Sequence, residues 1–156
     1  MPRDKFSWHI LLDKLLRMEK TMGVTRHDIR ESEFMIIFEK MFRDESVSEL
    51  LEIALDNEAI TVNDEVKETV EGVYANLEQI DTIISSFSEK RNLARMPKIN
   101  LAILRLAVYE ILYKSDIAPI KVVINEAVGL AKKYALDPDI SFVNGVLGAY
   151  SRSLEN

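Results

Sequence analysis

Apolar residues recur every three or four positions along almost the whole chain, and this spacing constrains the fold more than any other feature of the sequence. It is the period of an α-helix with one buried face, and we find no convincing alternation of the kind that marks a half-buried strand. Only five glycines and four prolines interrupt the 156 residues. A chain of this length can bury one packed core. The pattern therefore predicts a compact all-α bundle of about seven helices joined by short loops.

Short polar residues in front of apolar runs mark several predicted helix starts. Thr25 with Asp28, and Ser46 with Glu49, have the spacing of a capping box. Asn63 or Thr61 can cap the next helix. From residue 66 to residue 87 the apolar spacing continues without a break, which predicts one long helix.

Prolines mark the starts of the last three predicted helices. Pro97 precedes INLAILRLAVYEILY, a segment that is apolar on most sides and is therefore expected at the centre of the bundle. Pro119 is expected in the first turn of the following helix. Asp137 and Pro138 are expected as the N-cap and first-turn residue of the last helix.

The stretch SFVNGVLGAY, at 141–150, has helical spacing but contains Gly145 and Gly148. Each glycine costs a helix roughly 1 kcal/mol relative to alanine, so their presence needs a physical reason. The simplest interpretation is packing. Together with Ala149 they form a patch of small residues that would let another helix approach closely.

The charge is unevenly distributed along the chain, although the net charge is −6. Residues 44–89 contain 13 acidic groups and one basic group, Lys67, whereas residues 90–98 contain four basic groups and no acidic group. A protein that is acidic overall can still present a basic strip to a phosphate backbone. The sequence therefore does not exclude a nucleic-acid partner.

Side chains with catalytic or metal-binding chemistry are sparse. There is no cysteine, which excludes disulfides and thiolate sites. His9 and His27 are the only histidines, and neither has a metal-ligand partner at helical spacing. No glycine-rich phosphate loop or recognisable nucleophile setting is present. We therefore predict a protein that is not an enzyme, with no catalytic residue, no metal and no cofactor.

The sequence also lacks signals for membranes and secretion. No apolar run approaches the roughly 20 residues of a membrane span. The N-terminus lacks the uninterrupted apolar core and cleavage site of a signal peptide. With the absence of cysteine, these observations predict a cytoplasmic protein without a membrane partner.

Three segments carry a specific resemblance: AILRLAVYEILY at 102–113, VVINEAVGLAKKYA at 122–135 and FVNGVL at 142–147. In this order and spacing they resemble the bacterial NusB family of transcription antitermination factors. RHDIRESEFMIIF, at 26–38, resembles the arginine-rich start of that family. The resemblance covers about residues 23–150 and implies two small helical subdomains packed together. We accordingly divide the chain into an N-terminal extension, 1–22, and a NusB-like RNA-binding domain, 23–156.

The resemblance also implies a function and a set of partners. Members of the family pair with ribosomal protein S10, also called NusE, and bind a short single-stranded boxA element in nascent RNA. They act in the antitermination complex of RNA polymerase and support ribosomal RNA transcription. Two alternatives stay open from the sequence. One is a NusB-like regulatory domain of a ribosomal RNA cytosine methyltransferase, and the other is a homodimeric interaction protein with weakened RNA binding.

The candidate RNA-binding residues follow from basic charge, aromatic rings and the family resemblance. Arg26 and Arg30, four positions apart in a first helix, are expected on one side of it and within reach of phosphates. An aromatic ring near a basic group can stack on an unpaired base. The full set of candidates is Arg26, His27, Arg30, Phe87, Lys90, Arg91, Lys121, Phe142 and Asn144. For Phe142 the alternative is packing in the core or against a partner, and for Asn144 it is a structural hydrogen bond.

The candidate partner-binding residues come from the resemblance alone. Phe38 and Asn100 match positions where the family contacts ribosomal protein S10, although Phe38 can equally be a core residue. Residues 1–22 match nothing in the family pattern. Within them Trp8, Leu11, Leu12 and Leu15 form an apolar stripe. Two alternatives stay open: the start was assigned upstream of a natural start at Met22, or there is an extra amphipathic helix that must bury this stripe on the same chain or on a second copy.

Overall fold

The structure, a computed structural model, describes residues 11–12, 23–89 and 92–155. Seven α-helices follow one another from residue 23 onward within this part of the chain. They are α1 (Arg26–Lys40), α2 (Val47–Ala54), α3 (Asp64–Ala75), α4 (Leu77–Phe87), α5 (Lys98–Tyr113), α6 (Ile120–Tyr134) and α7 (Asp137–Leu154). A short 3₁₀ turn, Leu93–Arg95, precedes α5. The predicted all-α fold of about seven helices is confirmed.

Helix α5 lies at the centre of the bundle, as its all-round apolar sequence predicts. Eleven of its 16 residues are buried, and it contacts α1, α3, α4, α6 and α7. On one side of α5, helices α1, α2 and α3 contact one another, and on the other side α6 and α7 form the pair in closest contact. This grouping agrees with two small helical subdomains, one containing α1–α3 and the other containing α6 and α7, that both pack on α5.

The predicted caps of the first three helices are confirmed. The Thr25 hydroxyl accepts a hydrogen bond from the Asp28 amide at 3.1 Å, and the Asp28 carboxylate accepts one from the Thr25 amide at 3.0 Å. Ser46 and Asn63 likewise accept hydrogen bonds from the backbone amides of Glu49 and Val66. Each cap satisfies a backbone donor that the helix itself leaves unpaired.

Three predicted boundaries are wrong, and each has a local cause. The long helix expected over 66–87 is broken at Asn76, which leaves the helical conformation (φ −116°, ψ 22°) while its backbone and side-chain N–H groups both donate to the Gly72 carbonyl. The apolar spacing continues across this break, which is why the pattern did not reveal it. Pro119 lies at the N-cap of α6 rather than in its first turn. Asp137 is the first residue of α7, because extended Leu136 takes the N-cap position.

The predicted helix of the N-terminal extension lies outside the described residues, apart from Leu11 and Leu12. These two are helical and exposed. How the apolar stripe of this segment is buried therefore stays a prediction.

The packing interpretation of the two glycines of α7 is wrong. A Cβ added at Gly145 would meet no atom within 4 Å, and one at Gly148 would meet only the end of the Arg152 side chain, at 3.3 Å. The close approach is made elsewhere, at Gly72 of α3, where an added Cβ would lie 2.6 Å from Cε2 of Tyr109. No helix packs closely on the glycines of α7, so the cost of these two residues has no structural compensation that we can identify.

Gly145→Ala is therefore expected to stabilise the fold by about 0.5 to 1 kcal/mol, because alanine restricts the unfolded chain and finds open space in α7. Urea unfolding followed by circular dichroism measures this. Gly72→Ala is the matched comparison, and its Cβ would overlap the Tyr109 ring, so a loss of stability is expected. A destabilised Gly145→Ala protein would show that α7 is packed more tightly than the structure indicates.

Candidate RNA and partner interface

The N-terminus of α1 presents Arg26 and His27 at the surface, and both are engaged by acidic side chains. The Arg26 guanidinium donates to the Glu65 carboxylate at 2.6 Å. His27 lies 3.2 Å from a carboxylate oxygen of Glu126 on α6 and 3.6 Å from one of Glu31. These residues are accessible as predicted. A phosphate would have to compete with carboxylates for them, which weakens the electrostatic attraction of this end of α1.

Arg30 corrects the sequence analysis, which expected its guanidinium to project into solvent beside Arg26. The side chain is only 4% exposed, and its Nε donates to Oε1 of Glu110 at 2.9 Å. Glu110 comes from the central helix α5 and needs a counter-ion there, because burial raises the pKa of its carboxyl group while Arg30 opposes that shift. Arg30 therefore joins α1 to α5 and is withdrawn from any RNA surface.

A second buried charge, Glu33, lies one turn further along α1. Neither of its carboxylate oxygens has a hydrogen-bond partner among the described residues, and its nearest cation is the Lys114 ammonium at 3.6 Å. Burial raises the pKa of Glu33 to about 7, with Lys114 acting in the opposite direction. The Lys114 ammonium also lies 4.0 Å from Glu65. Arg26, Arg30 and Lys114, the cations along the first half of α1, are thus each paired with acidic groups of the same protein.

The remaining RNA candidates lie on other helices. Phe87, at the end of α4, is half-buried with its ring centroid 5.4 Å from that of Tyr150. Lys121 and Asn144 are exposed on α6 and α7, whereas Phe142 is half-buried against the core. Lys90 and Arg91 lie outside the described residues. The predicted set is therefore distributed over α1, α4, α6 and α7, and its role in RNA binding stays a prediction.

Phe38 and Asn100, the two predicted partner residues, line the same cleft although 62 positions separate them in the sequence. The cleft has a volume of about 380 Å³ and lies between the end of α1, the start of α5 and the α6–α7 junction. Aromatic and aliphatic side chains make up most of its wall. Its lining residues are Phe38, Phe42, Pro97, Lys98, Ile99, Asn100, Tyr134, Ala135, Leu136 and Asp139.

Asn100 is a polar residue in the otherwise mostly apolar lining of this cleft. Its side-chain amide donates to Oδ1 of Asp139 at 3.0 Å, and because a carboxylate can only accept, this bond fixes which way the amide faces. The other atom of the amide, Oδ1, is buried and has no hydrogen-bond partner within the described part of the chain. A buried acceptor without a donor is unfavourable, and this oxygen has almost no accessible surface through which a molecule in the cleft could reach it.

Sequence reasoning missed two exposed, large apolar members of the cleft, Phe42 and Leu136. Phe42 lies beyond the last turn of α1, where its ring packs edge-on against that of Phe38, with the centroids 5.0 Å apart. Leu136 lies in the bend between α6 and α7. The sequence did contain a signal for Leu136, because it directly precedes Asp137, the predicted N-cap. A large apolar residue at that position lies outside the helix and is therefore not buried by the helix's apolar face.

Other depressions of the described surface lie along α4, one of them about 560 Å³ in volume and lined by residues between 75 and 83. A wider depression of about 670 Å³ along α4 is lined by Glu78, Asp81, Thr82, Ser85 and Ser86. It is acidic and open, which does not suit a phosphate ligand. Among residues 11–12, 23–89 and 92–155, no group of three or more Asp, Glu or His is placed to hold a metal ion. In the same part of the chain, no helix is both long and apolar enough to cross a membrane.

These features define a class: small all-α proteins with a central apolar helix and a surface cleft where three helices meet. Within that class, the model of the NusB family matches residues 27–152. The chain belongs to the NusB family.

Curated relatives agree closely with this assignment. The transcription antitermination protein NusB of Pseudothermotoga lettingae is 40% identical over 129 residues, covering 82% of this chain and 91% of the relative. That of Agathobacter rectalis is 41% identical over 133 residues, covering 82% of this chain and all of the relative.

Solved structures give the same result at the level of the fold. NusB of T. maritima has a TM-score of 0.73 at 36% identity, covering 83% of this chain and 92% of that one. A NusB chain from a crystal structure of the antitermination factors NusB and NusE in complex with double-stranded RNA has a TM-score of 0.71 at 28% identity. It covers 82% of this chain and 96% of that one.

Proposed function

We propose that this protein is a transcription antitermination factor that binds boxA-type single-stranded RNA together with ribosomal protein S10 (NusE). It acts without catalysis, in the cytoplasm, as part of the RNA polymerase antitermination complex that supports ribosomal RNA transcription. The observation that carries this proposal is membership of the NusB family over residues 27–152, with relatives named as transcription antitermination proteins.

A relative's complex supports the choice of partners. The NusB chain described above was crystallised with NusE and RNA, and it shares the fold of this protein over 82% of the chain. That RNA is double-stranded, whereas our proposal names an unpaired element. A binding assay on this protein should therefore compare single-stranded boxA RNA with a duplex of the same sequence, each with and without S10.

We assign the partner site to the cleft that contains Phe38 and Asn100. Its walls are apolar, its exposed rim includes Phe42 and Leu136, and its buried Asn100 oxygen lacks a donor. Protein interfaces characteristically combine an apolar centre with a few satisfied polar contacts. A segment of S10 that inserts an apolar side chain would fill the centre of such an interface, with the polar groups of Lys98 and Asp139 at its edge.

Leu136→Asp is expected to weaken S10 binding more than tenfold, because it places a charge on the rim of the apolar cleft. Leu136 is largely exposed, so the fold should tolerate the change. Leu55→Asp, at another exposed leucine outside the cleft, is the matched control and should leave S10 binding unchanged. Isothermal titration with purified S10 measures both. Equal affinities for the two variants would remove the cleft from the S10 interface.

The RNA surface is tested by its dependence on salt. Arg26→Ala and Lys121→Ala each remove an accessible basic group, and each lost phosphate contact should lower the slope of log K against log salt by about 0.7 for a single strand. Fluorescence anisotropy with labelled boxA RNA at several salt concentrations measures this slope. Lys67→Ala, within the acidic stretch 44–89, is the control. Slopes that respond equally to all three substitutions would count against a localised RNA site.

A further inference from the structure

Charged side chains meet between α1, α3 and the end of α5, and one of them is the candidate RNA contact Arg26. In the described part of the chain, three carboxylates and three cations are joined there in ion pairs. They are Glu33, Glu65 and Glu110, and Arg26, Arg30 and Lys114. We call these six residues the junction cluster. Their charges balance only while Arg26 contributes its own.

Four members of the junction cluster form a row from the surface into the core. The Arg26 guanidinium contacts both carboxylate oxygens of Glu65, at 2.5 and 2.6 Å. The Lys114 ammonium lies 4.0 Å from Glu65 and 3.6 Å from Glu33, so the two carboxylates share it. The Arg26 side chain is 43% exposed, whereas Glu33 is fully buried. A ligand that binds Arg26 from solvent therefore acts on a row that ends in the core.

We propose that Lys114 passes from Glu33 to Glu65 when an RNA phosphate takes Arg26, so that RNA binding at the start of α1 draws a proton from solvent onto Glu33. The displacement of Arg26 by RNA rests on the proposed function. The competition of the two carboxylates for Lys114 does not, because it follows from the ion pairs of the protein alone.

Glu65 gains most from Lys114 once Arg26 is engaged elsewhere. It lies in the first turn of α3, where the helix N-terminus favours a negative charge. With Arg26 on a phosphate, the Lys114 ammonium is the remaining cation within 4.0 Å of Glu65 in the described part of the chain. A movement of about 1 Å brings this ammonium to the roughly 2.8 Å of a direct charge-assisted hydrogen bond.

Glu33 is the carboxylate that takes the proton, because it keeps the least support. Neither of its oxygens has a hydrogen-bond partner among the described residues. Burial raises the pKa of Glu33 to about 7, and the Lys114 ammonium is the main group that opposes this rise. Glu110, by contrast, keeps the Arg30 guanidinium at 2.9 Å. When Lys114 moves away, the pKa of Glu33 therefore rises further.

The coupling between RNA and Glu33 has a definite sign. The complex with RNA holds more protons than the free protein. Its affinity therefore rises as the pH falls from the higher pKa of the complex to about 7, the pKa of Glu33 in the free protein. Glu110 on α5 and Glu65 on α3 also face Glu33 and raise its pKa, and both remain in the complex. By reciprocity, protonation of Glu33 frees Lys114 for Glu65 and so loosens Arg26 for the phosphate.

Arg26→Ala tests the exchange of Lys114 without RNA, because it leaves Glu65 without its first cation. A pH titration followed by NMR of ¹³C-labelled glutamate carboxyl groups measures Glu33, whose signal is identified by its loss in Glu33→Gln. We expect the Glu33 midpoint to rise by at least about 0.5 pH unit. Lys133→Ala, which removes an exposed cation paired with Glu31 of α1, should leave the midpoint unchanged. An unchanged midpoint in Arg26→Ala overturns the proposal.

A second substitution separates the exchange of Lys114 from the simple loss of a nearby positive charge. Arg26 also attracts Glu33 directly, so part of the rise needs no movement of Lys114. In a Lys114→Met background this direct part remains, whereas the exchange is removed. The rise caused by Arg26→Ala should therefore fall by at least about half in that background. A rise of equal size with and without Lys114 overturns the exchange.

The consequence for RNA is measured by fluorescence anisotropy with labelled boxA RNA at pH 6 and pH 8. Between pH 8 and pH 6, the affinity of the unsubstituted protein should gain at least about threefold more than that of Glu33→Gln. Protonation of His27, next to Arg26, contributes to both proteins and cancels in the comparison.

The outcomes of the RNA measurement are distinguishable. If neither protein binds RNA, the proposed function fails and the coupling to RNA fails with it, while the titration of Arg26→Ala still decides the exchange of Lys114. If both proteins bind RNA with the same pH dependence, the proposed function stands and the coupling between RNA and Glu33 is overturned.

Discussion

Arg30→Ala is expected to destabilise the protein by about 3 to 5 kcal/mol, a large part of the stability of a domain of this size. The substitution leaves the Glu110 carboxylate buried beneath α1 without its cation. Glu110 is 3% exposed, and Arg30 supplies the hydrogen bond that its Oε1 accepts. The cost arises mainly from the unpaired charge that remains, rather than from the attraction that is lost.

Two controls separate this explanation from a general effect of lost arginines. Arg26→Ala removes an exposed pair with Glu65 and should cost at most about 1 kcal/mol. Arg30→Met combined with Glu110→Leu removes both buried charges and should return the stability to near that of the unsubstituted protein. Urea unfolding at pH 7 measures all three. A loss below about 1 kcal/mol for Arg30→Ala would mean that its side chain can leave α5 and face solvent, as the sequence analysis expected.

The difference between the predicted and observed positions of Arg30 shows which part of the fold could be predicted from the sequence. Periodicity places Arg26 and Arg30 on one side of α1, but it does not show that α5 covers that side one turn further on. A signal was present in α5 itself, since Glu110 lies in a segment that is apolar on most sides and therefore required a buried cation. The other charged residue in the middle of this helix, Arg105, is also paired: its Nε donates to Oδ1 of Asp81 at 2.8 Å.

Helix starts were more predictable than helix breaks, because a cap depends on a few neighbouring residues. Thr25 and Asp28 form their capping box from local geometry alone. At Asn76 the backbone leaves the helical conformation while the apolar pattern continues, so the pattern concealed the break. The glycines of α7 show a further limit: a small residue does not reveal whether another helix approaches it, and here none approaches Gly145 closely.

The partner cleft was predictable only in part. Phe38 and Asn100 came from the family resemblance, and the structure brings both to one cleft. Phe42 and Leu136 lie just outside helices, where helical periodicity assigns no face. A site formed by the ends of several helices depends on their relative placement, which local sequence does not specify.

Glu33 gives the second large expected effect, a loss of stability as the pH rises from about 4.5 to above 7. Burial raises the pKa of its carboxyl group from 4.5 to about 7 in the folded protein. Below pH 4.5 Glu33 is protonated in both the folded and the unfolded state, and its stabilising contribution is complete. As the pH rises, the unfolded chain releases this proton first, so the contribution is lost as the pH passes through about 7.

The size of this effect is about 3 kcal/mol, since each unit of pKa difference corresponds to about 1.4 kcal/mol. The groups that face Glu33 are the Lys114 ammonium at the end of α5, Glu110 in α5 and Glu65 on α3. Lys114 reduces the shift, while the two carboxylates increase it. The nearby Thr69 hydroxyl also lowers this pKa, although it makes no well-formed hydrogen bond to either Glu33 oxygen. Burial outweighs Lys114 and Thr69 together.

Glu33→Gln should remove this pH dependence, because glutamine does not titrate and nearly preserves the shape of the side chain. The stability of the variant minus that of the unsubstituted protein should increase by about 3 kcal/mol between pH 4.5 and pH 8. The difference cancels the titration of most other carboxyl groups, and urea unfolding at half-unit pH steps measures it. Glu71→Gln, at an exposed position of the neighbouring helix α3, controls for the loss of one carboxyl group. A Glu33→Gln difference that stays constant across this range would mean that Glu33 is ionised in the folded protein well below pH 7. The Lys114 ammonium, 3.6 Å away, would then offset the cost of burial.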